Sequence, residues 1–216
     1  MYTVFFLAAV SASLILGTFQ QCCVPTQLQT FADGLTSLSE NRTGPSLRVH
    51  NETYDALKKR RAFQYYGAQK GENFNIIYDY KTNTSYKWTK EECVVSYAGQ
   101  FTEYCFSGGK LVRKTFMGVY PDIIELETYL IHMYGHLYLI TLGKNCTPVE
   151  VVQMDSKPSN NGETTMWIYY NMTIGIKDES VFIPPKMCFK NGSLARKPLK
   201  LPNHRPPALF DALHGN

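Results

Sequence analysis

The sequence predicts an all-β domain of short antiparallel strands, and three observations carry that expectation. Apolar and aromatic residues come in short runs separated by Gly, Pro, Asn and Asp. Tyr and Phe number 15 and 12, and aromatic side chains suit the pleated surface of a sheet. Apolar residues at helical spacing are nearly absent, which leaves layered antiparallel strands as the architecture. The 216 residues are enough for one sizeable core. With 44% hydrophobic and 19% charged residues the chain is globular rather than disordered. Its net charge of +4 is small and concentrated near the C-terminus, which argues against a nucleic-acid partner.

Taken in order, the apolar run from Phe5 to Gly17 is shorter than the roughly 20 residues a membrane-spanning helix needs. It reads as a secretory signal peptide over residues 1–20, although Met1-Tyr2-Thr3 carries no Lys or Arg. No later stretch reaches transmembrane length. Residues 21–190 form the β domain, and residues 191–216 are a basic, proline-rich tail read as disordered. Export fits two further features. Asn41, Asn51, Asn83, Asn145, Asn171 and Asn191 are N-glycosylation sequons. Cys22, Cys23, Cys93, Cys105, Cys146 and Cys188 are an even set, with fifteen pairings open on spacing alone.

Within the domain, residues 22–45 read as loop, with Asp33-Gly34 and Gly44-Pro45 as turns. Strands follow at 46–52 and 62–66, and the basic cluster at 58–61 reads as a solvated loop or strand end rather than a processing site. Two apolar runs, 73–80 and 85–89, flank a short polar link and make a β-hairpin, which excludes a βαβ unit there. Further strands are expected at 93–97, 110–120, 134–142, 148–154 and 166–174. Pro121 with acids after it starts a stretch to 127 that reads as a short helix or a connecting loop. Gly175 bends the chain, residues 177–180 turn it with Asp178 as a side-chain cap, and Val181-Phe182-Ile183 is a short strand stopped by Pro184-Pro185.

No catalytic motif is present: there is no nucleophile elbow, no His-Glu-x-x-His and no phosphate-cradling glycine loop. His132 and His136 have helical metal-ligand spacing but lie beside strand-like sequence. The acids Asp122, Glu125, Glu127, Asp178 and Glu179 have the oxygen chemistry for calcium but no EF-hand spacing. The aromatic strands point instead to a hydrophobic ligand held on a curved apolar face. Its candidate lining is Phe74, Ile76, Tyr78, Tyr86, Trp88, Tyr138, Ile140 and Phe182. A glycan on Asn171 would turn its face outward, so Ile168, Tyr170, Met172 and Ile174 are expected inside. Trp167 and Tyr169 join them only if the strand bulges or the sequon is unused.

The run Gly175-Ile-Lys-Asp-Glu-Ser-Val-Phe-Ile-Pro-Pro-Lys-Met-Cys188 resembles the C-terminal signature of the ependymin family. Cys146-Thr-Pro-Val-Glu150, Cys23 with Pro25, and Glu92-Cys93 are similar to further family cysteine motifs. The resemblance implies two stacked, curved antiparallel sheets forming a half-open barrel with a deep hydrophobic pocket, similar to bacterial lipoprotein carriers. It implies a homodimeric, calcium-binding glycoprotein, secreted or lysosomal, that binds lipids or other hydrophobic ligands; with no catalytic motif in the chain, an enzyme is not expected. It implies disulfides Cys23–Cys146 and Cys93–Cys188. Two family cysteines, near residues 55–60 and at the far C-terminus, are missing together. Cys22 and Cys105 are extra, and a Cys22–Cys105 bridge would use all six. The rival expectation is a calcium-dependent extracellular-matrix or adhesion glycoprotein.

Overall fold

In the computed structural model, which describes residues 21–37, 46–67, 73–133, 135–155 and 164–189, one antiparallel sheet dominates. Its strands are β2 (Gln27–Thr36), β3 (Ser46–Asp55), β4 (Arg60–Gly67), β5 (Phe74–Asp79), β6 (Thr84–Trp88), β7 (Cys93–Tyr97), β9 (Lys110–Val119), β10 (Asp122–Met133), β11 (His136–Gly143), β12 (Thr147–Asp155) and β13 (Thr164–Ile174). The remaining strands, β1 (Cys22–Cys23) and β8 (Cys105–Phe106), form a small separate ladder. The order in the large sheet is β7-β6-β5-β4-β3-β2-β13-β12-β11-β10-β9. Two up-and-down meanders therefore meet at one seam, β2 against β13, and the sheet stays open because its outer strands β7 and β9 do not pair with each other. The two curved layers expected from the sequence are the halves of this single sheet.

Several expectations change. The stretch at 22–45 holds β1 and β2, and β2 sits at the sheet centre. Its small or polar residues Thr30, Ala32 and Gly34 are buried beneath larger neighbours, so their sequence lacks the usual apolar mark of a central strand. Residues 121–127 are neither helix nor connecting loop: Tyr120 and Pro121 turn the β9–β10 hairpin, and Asp122 pairs with Val119. Val181–Ile183 is not a strand, because residues Glu179–Phe182 wind into a 3-10 turn. Asp178 accepts from Ser180 N and from Ser180 Oγ, both at 2.8 Å, and so starts that turn. The signal peptide, the tail, and the sequons at Asn41 and Asn191 lie outside the described residues.

The disulfides are Cys22–Cys146, Cys23–Cys105 and Cys93–Cys188. The first two replace the expected Cys23–Cys146 and Cys22–Cys105. Strand geometry decides the exchange: Cys23 lies directly opposite Cys105 in the β1–β8 ladder, with Cα atoms 3.9 Å apart. Its neighbour Cys22 faces the other way and meets the 3-10 turn Lys144–Cys146.

The sheet has two apolar clusters, one on each face. The smaller lies outside, where Ala62 and Ile77 carry Phe182, flanked by Tyr86, Trp88, Ile176 and Val181. Phe182 is also covered by the Arg60 guanidinium, 3.9 Å from its ring centre. Arg60 pairs in turn with Asp55 at 2.9 Å and with Glu179, which also takes Lys58 at 2.9 Å. The signature run at 175–188 is thus a strap laid on the convex face and fastened by Cys93–Cys188.

Candidate ligand-binding interior

The concave face follows from strand alternation. On β3, Arg48, His50, Glu52 and Tyr54 share a face, because side chains alternate with period two. The ladders carry that face sideways: Ala32, His50 and Tyr65 are cross-strand partners, as are Thr30, Glu52, Phe63 and Ile76. On the other side of β2, Trp167 lies opposite Gly34 and Tyr169 opposite Ala32. Further out, Val151 pairs with Trp167 and with Ile140, and Tyr138 pairs with Ile131. The result is one buried cluster spanning both meanders, from Phe63, Tyr65 and Phe74 to Trp167, Tyr138 and Ile140.

Gly34 is required here by space: a Cβ would sit 2.1 Å from the Trp167 ring. Trp167 thus folds across β2 and meets His50 edge-on, ring centres 5.2 Å apart. His50 also packs against Tyr65 at 5.2 Å and Phe63 at 5.9 Å, and Tyr65 stacks on Phe74 at 4.4 Å. The segment at 98–109 crosses the end of this face. Tyr104 stacks on Tyr54 at 4.5 Å, and its N–H donates to the Tyr54 hydroxyl at 3.3 Å. Arg61 Nη2 donates to the Thr102 carbonyl at 2.6 Å, with the guanidinium 3.8 Å from the Tyr104 ring centre. Cys23–Cys105 and buried Phe106 complete the anchor.

The family model for ependymin matches residues 68–188, more than half of the chain. The chain belongs to the ependymin family. No curated protein sequence matches it. Among solved structures, a LolA-superfamily protein from Nitrosomonas europaea is similar over 74% of this chain and 91% of its own, at 8% identity and TM-score 0.41. An uncharacterized conserved protein from Thermus thermophilus is similar over 75% and 87%, at 10% identity and TM-score 0.49. A DUF1329-family protein from Desulfovibrio piger is similar over 73% and 90%, at 7% identity and TM-score 0.34.

In this ependymin the interior is aromatic but not simply apolar. Burial lowers the His50 pKa to about 3, so the imidazole is neutral. Burial raises that of Glu52 to about 8, against the opposing pull of Arg61 and the Tyr104 hydroxyl, so its carboxyl is largely protonated at neutral pH. The same desolvation holds the phenols of Tyr65, Tyr104 and Tyr169 well above their ordinary value. The face can therefore receive hydrocarbon along its aromatic rings and hydrogen-bonding groups at a few fixed points.

Of the predicted lining, Phe74, Tyr138 and Ile140 are buried on the concave face, and Ile76, Tyr78 and Met172 pack half-buried against the same cluster. Tyr86, Trp88 and Phe182 are corrected to the convex face: Tyr86 pairs with Ile77 and Trp88 with Asn75, both one residue out of phase with Phe74 and Ile76. Ile168 and Tyr170 are also corrected to the outside, where Tyr170 stacks on Phe31 and donates its hydroxyl to Asp33 at 2.8 Å. The cause is a bulge between Tyr170 and Thr173, with Asn171 in the left-handed region at φ 51°. It lets Asn171 point out while Trp167 and Tyr169 point in. The other described sequons also avoid the concave face: Asn83 and Asn145 sit in turns with φ 57° and 58°, and Asn51 lies between inward-facing His50 and Glu52.

Arg61 departs from the expected solvated cluster; it is fully buried among tyrosine rings, while Lys58 and Lys59 are exposed. His50, Glu52, Arg61, Tyr54 and Tyr104 are interior residues that strand patterning missed. On β3 the charged phase points in and the Leu47 phase points out, against the usual rule. His132 and His136 lie on opposite faces, since His136 pairs with Met133. Among the described residues, no group of three or more His, Cys, Asp or Glu side chains is placed to hold a metal ion. Asp178 is taken by Ser180, and Glu179 by Lys58 and Arg60.

Proposed function

We propose that this ependymin is an exported, glycosylated carrier without enzymatic activity that holds a hydrophobic ligand against the concave face. One observation carries the reading: a continuous aromatic cluster spans both meanders of a sheet that remains open. An aromatic face of that extent beside an unclosed barrel suits a hydrophobic ligand. Export is supported by the N-terminal apolar run, the six sequons and three disulfides that need an oxidising compartment, whether the destination is the cell exterior or the lysosomal lumen. No helix among the described residues is long and apolar enough to cross a membrane.

The test is extraction of the secreted protein with organic solvent, followed by mass spectrometry, and uptake of a neutral apolar fluorophore by the stripped protein. Stoichiometric ligand or saturable uptake is expected. A protein that yields no ligand and takes up no fluorophore overturns the reading.

A homodimer has its own support. The β9–β10 hairpin exposes Phe116, Met117, Val119, Tyr120, Ile123 and Ile124, an apolar patch of the kind that marks an interface. Val119→Lys with Ile124→Lys should shift sedimentation from dimer to monomer; a wild-type chain that sediments as a monomer at micromolar concentration refutes it.

A further inference from the structure

Four side chains on the concave face carry polar atoms with no protein partner: both ring nitrogens of His50, Oε1 of Glu52, Nε1 of Trp167 and the hydroxyl of Tyr169. Their exposures are 0%, 1%, 2% and 6%. They are not scattered. His50 and Glu52 lie two apart on β3, and Trp167 and Tyr169 two apart on β13, so each pair shares a face. Only β2 separates the pairs, and it presents Ala32 and Gly34 between them. These small residues do not screen one pair from the other: the Trp167 ring lies over Gly34, and it is in contact with the His50 ring, so the four groups share one buried patch.

Native interiors leave few polar groups unpaired, and a cluster of them in one patch needs a cause. Packing is not that cause, because apolar side chains of the same shape would fill the space without desolvating a carboxyl and an imidazole. The protonation states narrow the chemistry. Neutral His50, protonated Glu52 and Tyr169 can each donate and accept, and Trp167 donates. Such a set complements a group that also donates and accepts. A carboxylate would meet acceptors as well as donors and would have to shed its water.

We propose that His50, Glu52, Trp167 and Tyr169 form a head-group site for the uncharged, hydrogen-bonding end of an amphipathic ligand, a hydroxyl or a primary amide. The hydrocarbon part then lies along the aromatic wall of β4 and β5. This inference rests on the carrier reading above and adds the direction in which the ligand enters, polar end first.

The test uses the secreted chain, stripped of lipid, and displacement of N-phenyl-1-naphthylamine by four ligands of one chain length: decan-1-ol, decanamide, decanoate and decane. The alcohol and the amide should displace at concentrations about tenfold below decane, as one well-made buried hydrogen bond provides. Decanoate at neutral pH should compete less well than the alcohol. His50→Phe and Tyr169→Phe should each reduce the preference for the alcohol and leave decane unchanged. Tyr169→Phe removes a single hydroxyl without altering volume, so it keeps the test decisive if His50→Phe does not fold. Equal displacement by decan-1-ol and decane, or full preference retained in the folded variants, overturns the head-group site while leaving the carrier reading intact. Failure to take up the fluorophore at all overturns both.

Discussion

Glu52 makes stability depend on pH between about 6.5 and 8. Its carboxyl titrates near 4.5 when exposed and at about 8 in the fold. Between those values the folded chain holds a proton that the unfolded chain has released, so stability is full below about pH 4.5 and declines as pH rises toward 8. His50 acts with the opposite sign, because its folded pKa of about 3 lies below its ordinary 6.5. It lowers stability as pH falls from 6.5 toward 3. The two nearly cancel between pH 4.5 and 6.5, and Glu52 acts alone from about 6.5 to 8. The slope there approaches about 1.4 kcal/mol per pH unit, the free energy of one proton per molecule. Glu52→Gln keeps the shape, and its amide can still donate and accept, but it cannot ionise. Urea unfolding with disulfides intact, followed by tryptophan emission at pH 6.5, 7.2 and 8, should show wild-type stability falling and the variant flat. Identical slopes in both proteins would refute the assignment of a protonated carboxyl to the folded interior.

Other outcomes follow from the packing. Gly34→Ala drives a methyl into the Trp167 ring and should cost about 1–3 kcal/mol, with a shift in tryptophan emission; an unchanged melting temperature would contradict the described contact. Replacing Cys23 and Cys105 together by Ser unfastens the segment at 98–109 and should cost about 2–5 kcal/mol in urea unfolding, and peptide mapping of the variant should still find Cys22–Cys146. Phe182→Ala should cost about 3 kcal/mol yet leave uptake of a neutral apolar fluorophore unchanged, because Phe182 lies on the convex face; loss of uptake in a folded variant would move that residue back to the pocket.

Much of the strand plan was legible because each meander is local. Alternation and turn residues mark 73–80, 85–89, 93–97 and 148–154 without knowledge of partners. The seam was not legible. Thr30, Ala32 and Gly34 are small because Trp167 and Tyr169, far away in sequence, occupy the space above them. The phase of β13 was read from Asn171, and the bulge after Tyr170 reversed it. The one mark was Asn171 itself, a residue type that accepts positive φ, set in a run of β-branched and aromatic neighbours. The polar interior escaped for a related reason: strand β3 carries its charges inward, and a pattern rule that sends Arg, His and Glu to solvent inverts such a strand. Where the rule failed is where the candidate head-group site lies.

The seam has a consequence for biosynthesis. Thr30 Oγ1 donates to the Tyr170 carbonyl across 140 residues, while within each meander neighbouring strands lie close in sequence. Local ladders form early and the distant closure comes last. Until the ribosome has released residue 174, β2 is the outer edge of the growing sheet, with its backbone donors and acceptors open. An open edge is a template for another chain. The strand that ends at the centre of the finished sheet is therefore the one a nascent or truncated chain most needs a chaperone to cover.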